Sequence, residues 1–95
     1  MSAYVIARIE VTDPEEYAVY AGQTVALAEK FGGRFLVKGG PQTFVEGAGP
    51  GRHVIIEFPS RIAAERWYGS PEYQRILPLA LRAAQRDLVI VEGMN

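Results

Sequence analysis

Alternating apolar and polar positions open the chain. In YVIARIEV, Tyr4 to Val11, the side chains of Val5, Ala7, Ile9 and Val11 share one face while Tyr4, Ile6, Arg8 and Glu10 share the other, the period-two pattern of a strand with one apolar and one mixed side. The period then changes. Asp13 as cap, Pro14 at the first helical position and Glu16 placed to return a capping-box bond predict a helix start. Tyr17, Tyr20, Ala21, Thr24, Leu27, Ala28 and Phe31 follow as one buried stripe, stopped by Gly32 and Gly33. Arg34 to Lys38 reads as a second strand, with Phe35 and Val37 on one face and Arg34, Leu36 and Lys38 on the other.

Residues 39–51, GGPQTFVEGAGPG, hold five of the ten glycines and two of the six prolines, which predicts the longest break in regular structure, with room for a short strand over Thr43 to Glu46. Gly47, Gly49 and Gly51 do not make a phosphate loop, because a strand pattern follows where a phosphate cradle needs a helix N-terminus. His53 to Phe58 is that strand: Val54, Ile56 and Phe58 face one way, His53, Ile55 and Glu57 the other. Ser60 caps a short, well-buried helix ended by Gly69. Ser70-Pro71-Glu72 starts another, with a stripe of Tyr73, Ile76, Leu77, Ala80, Leu81 and Ala84 and with Pro78 expected to kink or divide it near residue 77. Asp87 to Glu92, DLVIVE, is a last strand whose unbroken apolar run suits an inner or two-sided position.

Superposing the caps, Asp13 on Ser60, places Val11 on Phe58 and Tyr20 on Trp67, so the chain reads as strand, helix, strand twice over. That order predicts an α+β fold spanning 1–95 as a single domain: a ferredoxin-like split βαβ, with a four-stranded antiparallel sheet and helices on one face. The uncovered face would carry Tyr4, Ile6, Leu36 and Ile55, joined by Val89 and Val91 from the last strand, among charges, and an apolar patch of that kind marks an interface. A homodimer joined through the sheet face is the expected partner arrangement.

Composition narrows the function by exclusion. Hydrophobic residues make up 48% and charged residues 22%, ordinary for a folded domain. Ten basic against eleven acidic residues leave a net charge of -1, so no uniform positive field exists to hold nucleic acid. The absence of cysteine removes disulfides, thiolate catalysis and thiolate metal sites. Arg8 and Glu10 interrupt the first apolar run, which is neither a signal peptide nor a membrane span. The expectation is a cytoplasmic protein without membrane or metal.

Three groups of residues are candidates for chemistry. His53, the only histidine, has the side chain suited to proton transfer near neutrality. Without His or Cys companions it makes a poor metal site. Arg8, Arg34 and Glu57 fall on the mixed sheet face, either as a register-fixing ion-pair set at a dimer seam or as an anion clamp with Glu57 as base. Tyr17, Tyr20, Trp67, Tyr68 and Tyr73 should gather between helices and sheet, where their hydroxyl and indole groups need partners; that suits either core or a pocket with apolar walls and a few polar points. In the catalytic arrangement Arg34 polarises an oxygen, His53 or Glu57 moves a proton, and the aromatics stack on the substrate.

The stretches YVIARIEVTDPEEY, FGGRFLVKGG, HVIIEFPSRIAAERWYGSPEYQRILPLAL and LVIVEG together resemble the family known as domain of unknown function 1330, within the dimeric α+β barrel superfamily. The resemblance covers nearly the whole chain and implies a homodimer whose two sheets close into a barrel. Superfamily relatives include cofactor-independent monooxygenases of polyketide quinols, muconolactone isomerases and haem-degrading enzymes, with ligands held between sheet and helices. Their catalytic motifs have no counterpart at matching positions here. The resulting expectation is a protein that binds or transforms a small aromatic or carbonyl-containing metabolite without a bound cofactor, in the manner of a monooxygenase or isomerase. The alternative is a non-enzymatic dimeric interaction or ligand-sensing module.

Overall fold

The alternation at the N-terminus becomes β1 (Ala3–Val11), in which Ala3, Val5, Ala7 and Ile9 are all buried on one side. The computed structural model describes residues 1–95. After β1 come α1 (Pro14–Ala21), α2 (Thr24–Glu29), β2 (Arg34–Lys38), β3 (Arg52–Phe58), α3 (Arg61–Gly69), α4 (Pro71–Ala83) and β4 (Ala84–Glu92). All strand pairs are antiparallel and the sheet order is β2-β3-β1-β4, the ferredoxin-like arrangement expected from the duplicated pattern. The helices lie over one face. β1 is central, so its apolar side forms the floor of the core, joined by Val54, Ile56 and Phe58 from β3 and capped by Trp67, Tyr73, Ile76 and Ala80 from the helices.

The caps perform as their residues dictate. Asp13 accepts from the Glu16 amide at 3.2 Å and Ser60 from the Ala63 amide at 3.0 Å. Ser70 is buried and works in both directions, accepting from the Tyr73 amide at 3.1 Å while its hydroxyl donates to the Trp67 carbonyl at 2.8 Å, which fixes the two aromatic-bearing helices against each other. At Gly33 the backbone runs against Phe58: an added Cβ would lie 2.7 Å from its ring, so only glycine fits.

Several expectations are corrected. The first helix breaks after Ala21, because Gly22 weakens it and Thr24 turns its hydroxyl back onto the Ala21 carbonyl at 2.8 Å. Glu16 does not complete a capping box; its carboxylate accepts from Arg82 Nε at 2.8 Å, and the Asp13 amide donates to the Ala83 carbonyl instead. No strand forms over Thr43 to Glu46. α4 runs unbroken through Pro78, held by its buried stripe of Tyr73, Ile76, Leu77, Ala80 and Ala83. α3 is only partly buried, with Ile62 exposed. β4 begins at Ala84, three residues early, and is an edge strand; its apolar run is two-sided, Leu88 and Ile90 towards the helices and Val89 and Val91 towards the open face.

β2 carries the most consequential departure. Its register with β3 shifts between Phe35 and Val37, which places Phe35 opposite Ile56 but Lys38 opposite Val54. The bulge at Leu36 thereby turns Lys38 to the helix side and Val37 to the open side, against a strict alternation. On the open face Val37, Ile55, Ile6 and Val89 then line up as one apolar row across all four strands. Flanking rows are mainly polar: Arg34, Glu57 and Tyr4, ended by Val91 on β4, on one side, and His53, Arg8 and Asp87 on the other.

Candidate functional site

A cleft opens between the sheet and α1–α3, floored by Ala7 and Ile9 and walled by Tyr17, Tyr20 and Trp67. Its free volume is about 20 Å³, room for one water. Three cationic side chains line it. Arg52 and Arg86 both stand beside Ile9, one from β3 and one from β4, and Lys38 comes from the next row of the sheet because of the bulge. No Asp or Glu side chain lines the cleft.

The aromatic groups form a connected set. Tyr17 and Tyr20 have ring centroids 5.2 Å apart, Tyr20 and Tyr73 6.2 Å, and Trp67 and Tyr73 4.5 Å. The Tyr20 and Tyr73 hydroxyls are 2.6 Å apart, and Arg86 donates to both, at 2.9 Å and 3.1 Å. Burial raises the Tyr20 phenol well above its ordinary value, helped by the neighbouring Tyr73 oxygen, so Tyr20 is neutral across the physiological range. Burial also opposes the charge of Arg86, but the two phenol oxygens outweigh it and hold the guanidinium pKa above its usual value. Arg86 therefore remains a cation. One proton bridges the two phenols, which leaves the second hydroxyl proton without an acceptor.

Three further donors are buried without partners: Arg52 Nε, Arg86 Nε and Trp67 Nε1. All belong to residues that line the cleft. Arg52 is held over the Tyr17 ring, its guanidinium carbon 5.8 Å from the centroid, and packs against Gly39, whose φ of +68° suits glycine and whose missing side chain leaves the guanidinium its place. Lys38 spends one of its donors on the Ala21 carbonyl at 3.2 Å, at the rim of the cleft.

The residues singled out from sequence divide between the two faces. Tyr17, Tyr20 and Trp67 line the cleft, and Tyr73 stands directly behind Tyr20. Tyr68 stacks on Tyr73, with ring centroids 5.1 Å apart, without reaching the cleft wall. Arg8, Arg34, His53 and Glu57 project from the opposite side of the sheet. There Glu57 accepts from Arg34 at 2.8 Å and from the Tyr4 hydroxyl at 3.2 Å, and His53 Nδ1 meets Gln42 Oε1 at 2.7 Å. The two groups are not brought together in one protomer. Arg52, Arg86 and Lys38 escaped the sequence reading. Arg52 shares the parity of Val54 and Ile56, and Arg86 that of Leu88 and Ile90, so both were detectable as charges on a buried face; Lys38 was hidden by the bulge.

The chain belongs to the family described as domain of unknown function (DUF1330), whose model matches residues 2–94. Among solved structures it is similar to a protein of unknown function from Rhodopseudomonas palustris, at 17% identity over 99% of this chain and 83% of that one, with a TM-score of 0.78. A dimeric ferredoxin-like protein of unknown function from Jannaschia aligns over 98% of this chain and 100% of its own, at 14% identity and a TM-score of 0.79. SnoaB, a cofactor-independent oxygenase from Streptomyces nogalater, aligns over 99% and 94% at 12% identity, with a TM-score of 0.68. No curated protein gives a significant match. At these identities the structural likenesses establish the fold.

Proposed function

We propose that the chain acts as a homodimer, joined through the open face of its sheet, and that the helix-side cleft of each protomer binds a small aromatic or carbonyl-bearing metabolite without a resident cofactor. The observation that carries this reading is the Trp67 indole: the side chain is 1% exposed, its N–H has no partner, and it lines the cleft together with Tyr17 and Tyr20. A buried donor left unmade is costly, and a ligand acceptor entering the cleft would relieve it. The apolar row of Val37, Ile55, Ile6 and Val89 supports the dimer, since Val37 and Val89 are 39% and 54% exposed in one protomer and a facing copy would cover them. SnoaB, of the same fold, is a cofactor-independent oxygenase, consistent with chemistry that needs no bound cofactor.

A second reading, a ligand-sensing module, draws on the cleft wall itself. Neither His53 nor any carboxylate lines it, and Tyr20 is held protonated, so the wall offers hydrogen-bond donors and cations but no general base near neutrality. A thermal-shift screen of quinols, lactones and small aromatic acids tests binding. Hits should raise the melting temperature of the native chain by mass action and lose that effect in Ala21→Phe, which fills the cleft mouth. Oxygen uptake and product analysis with the hits separate the oxygenase reading from the sensor. A screen in which no compound stabilises the native chain more than the filled variant contradicts the binding reading.

A further inference from the structure

The polarity of the cleft is one-sided. Its unpartnered buried groups, Arg52 Nε, Arg86 Nε and Trp67 Nε1, are all donors, and the phenol pair adds a hydroxyl proton with no acceptor. Arg52 on β3 and Arg86 on β4 flank Ile9 of β1, the strand between them, and neither forms an ion pair; the salt bridges of the fold, Arg34 with Glu57 and Arg82 with Glu16, lie elsewhere. Lys38 adds a third positive charge at the rim. Like charges brought together over an apolar floor without a counter-charge oppose folding. An acidic side chain at Ala7, Val54 or Leu88 would have neutralised them, and the sequence places none there.

We propose that the ligand is a carboxylate: a small aromatic or conjugated acid whose anionic head enters between Arg52 and Arg86 and whose ring lies against Tyr17, Tyr20 and Trp67. This rests on the reading of the cleft as a ligand site and names its substrate class. Guanidinium groups favour carboxylates by paired, charge-assisted hydrogen bonds, while the apolar lining suits a ring more than a bare inorganic anion. Lys38 is exposed at the rim, and its displacement is part of the proposal, because the cleft as it stands has room for one water and a ring needs more.

Isothermal titration calorimetry with benzoate, its neutral isostere benzamide and inorganic phosphate tests the assignment on the native chain. Benzoate is expected to bind roughly tenfold or more tightly than benzamide, as charge-assisted bonds to one guanidinium dictate, and more tightly than phosphate. Arg52→Gln should weaken benzoate by a similar factor of about ten while leaving benzamide within about twofold. Lys38→Gln should weaken benzoate severalfold through lost attraction alone. Arg86→Gln has the largest expected effect, but Arg86 also bridges Tyr20 and Tyr73, so the Arg52 and Lys38 variants decide the matter if that chain fails to fold. Equal binding of benzoate and benzamide overturns the carboxylate assignment and leaves the cleft as a ligand site. Phosphate binding as tight as benzoate also overturns it. Failure of all three probes to bind contradicts both claims.

Discussion

Replacing Tyr73 by Phe removes one oxygen from the most heavily bonded point behind the cleft. The side chain is fully buried and its hydroxyl meets Tyr20 at 2.6 Å and Arg86 Nη2 at 3.1 Å. Phe keeps the ring and its contacts with Trp67 and Tyr68, so no cavity forms and the change isolates the hydrogen bonds. One of the two groups left behind is a guanidinium, and stranding a buried donor costs about 1–3 kcal/mol, more when it is charged. The expected loss is about 2–3 kcal/mol. For a chain of this size each kcal/mol lowers the melting temperature by roughly 5 °C, giving a fall of about 10–15 °C. Urea unfolding followed by the single tryptophan, at one fixed protomer concentration because a dimer couples stability to concentration, measures it. Tyr68→Phe is the control: its hydroxyl makes no hydrogen bond in the structure, and the change should stay within about 0.5 kcal/mol. A Tyr73→Phe cost no larger than the control would refute the argument, because Arg86 would then be satisfied by water.

Other outcomes follow from the same geometry. Tyr20 is protonated in the fold to higher pH than in the unfolded chain, so above about pH 10 the unfolded state binds fewer protons and stability falls as pH rises, by up to about 1.4 kcal/mol per pH unit from this group; urea midpoints of Tyr20→Phe should be flatter with pH there than those of the native chain. Ile6→Asp places a charge in the middle of the apolar row of the open face and should shift sedimentation to a monomer, whereas an unchanged dimer would move the interface elsewhere. His53→Ala and Glu57→Gln alter residues on the far side of the sheet from Trp67, so calorimetric affinity for a cleft ligand should change less than about twofold. Gly39→Ala strains a backbone at φ +68° and intrudes on Arg52, costing about 1 kcal/mol or more in urea unfolding.

Most of the architecture was legible because it rests on local rules. Period two in YVIARIEV, the caps at Asp13, Ser60 and Ser70, and the strand-helix-strand repeat all survive in the fold, and the two positions that the repeat pairs, Tyr20 and Trp67, both line the cleft. What the sequence concealed depends on register. A single bulge at Leu36 carries Lys38 from the open face to the cleft, and a bulge has no period to detect. Arg86 lies just before the apolar run DLVIVE that marks β4 in the sequence, whereas the strand itself begins at Ala84. Parity in the sequence already separates the chemistry-bearing charges from the helices: His53 and Glu57 alternate with Val54, Ile56 and Phe58, and Arg34 with Phe35. Arg52 was an anomaly of the more informative kind, a charge on the parity of the buried face.

A ligand that enters the helix-side cleft, as proposed, meets the unpartnered donors there. Trp67 is the only tryptophan, so its indole N–H gives a single, self-assigned signal in a proton–nitrogen correlation spectrum of the native chain. Titrating the compounds that stabilise the protein should move that signal strongly downfield as the indole gains an acceptor, in step with saturation. A ligand that binds to saturation while the indole signal stays in place, with the shifts confined to residues of the open face such as His53 and Ile55, would contradict the account.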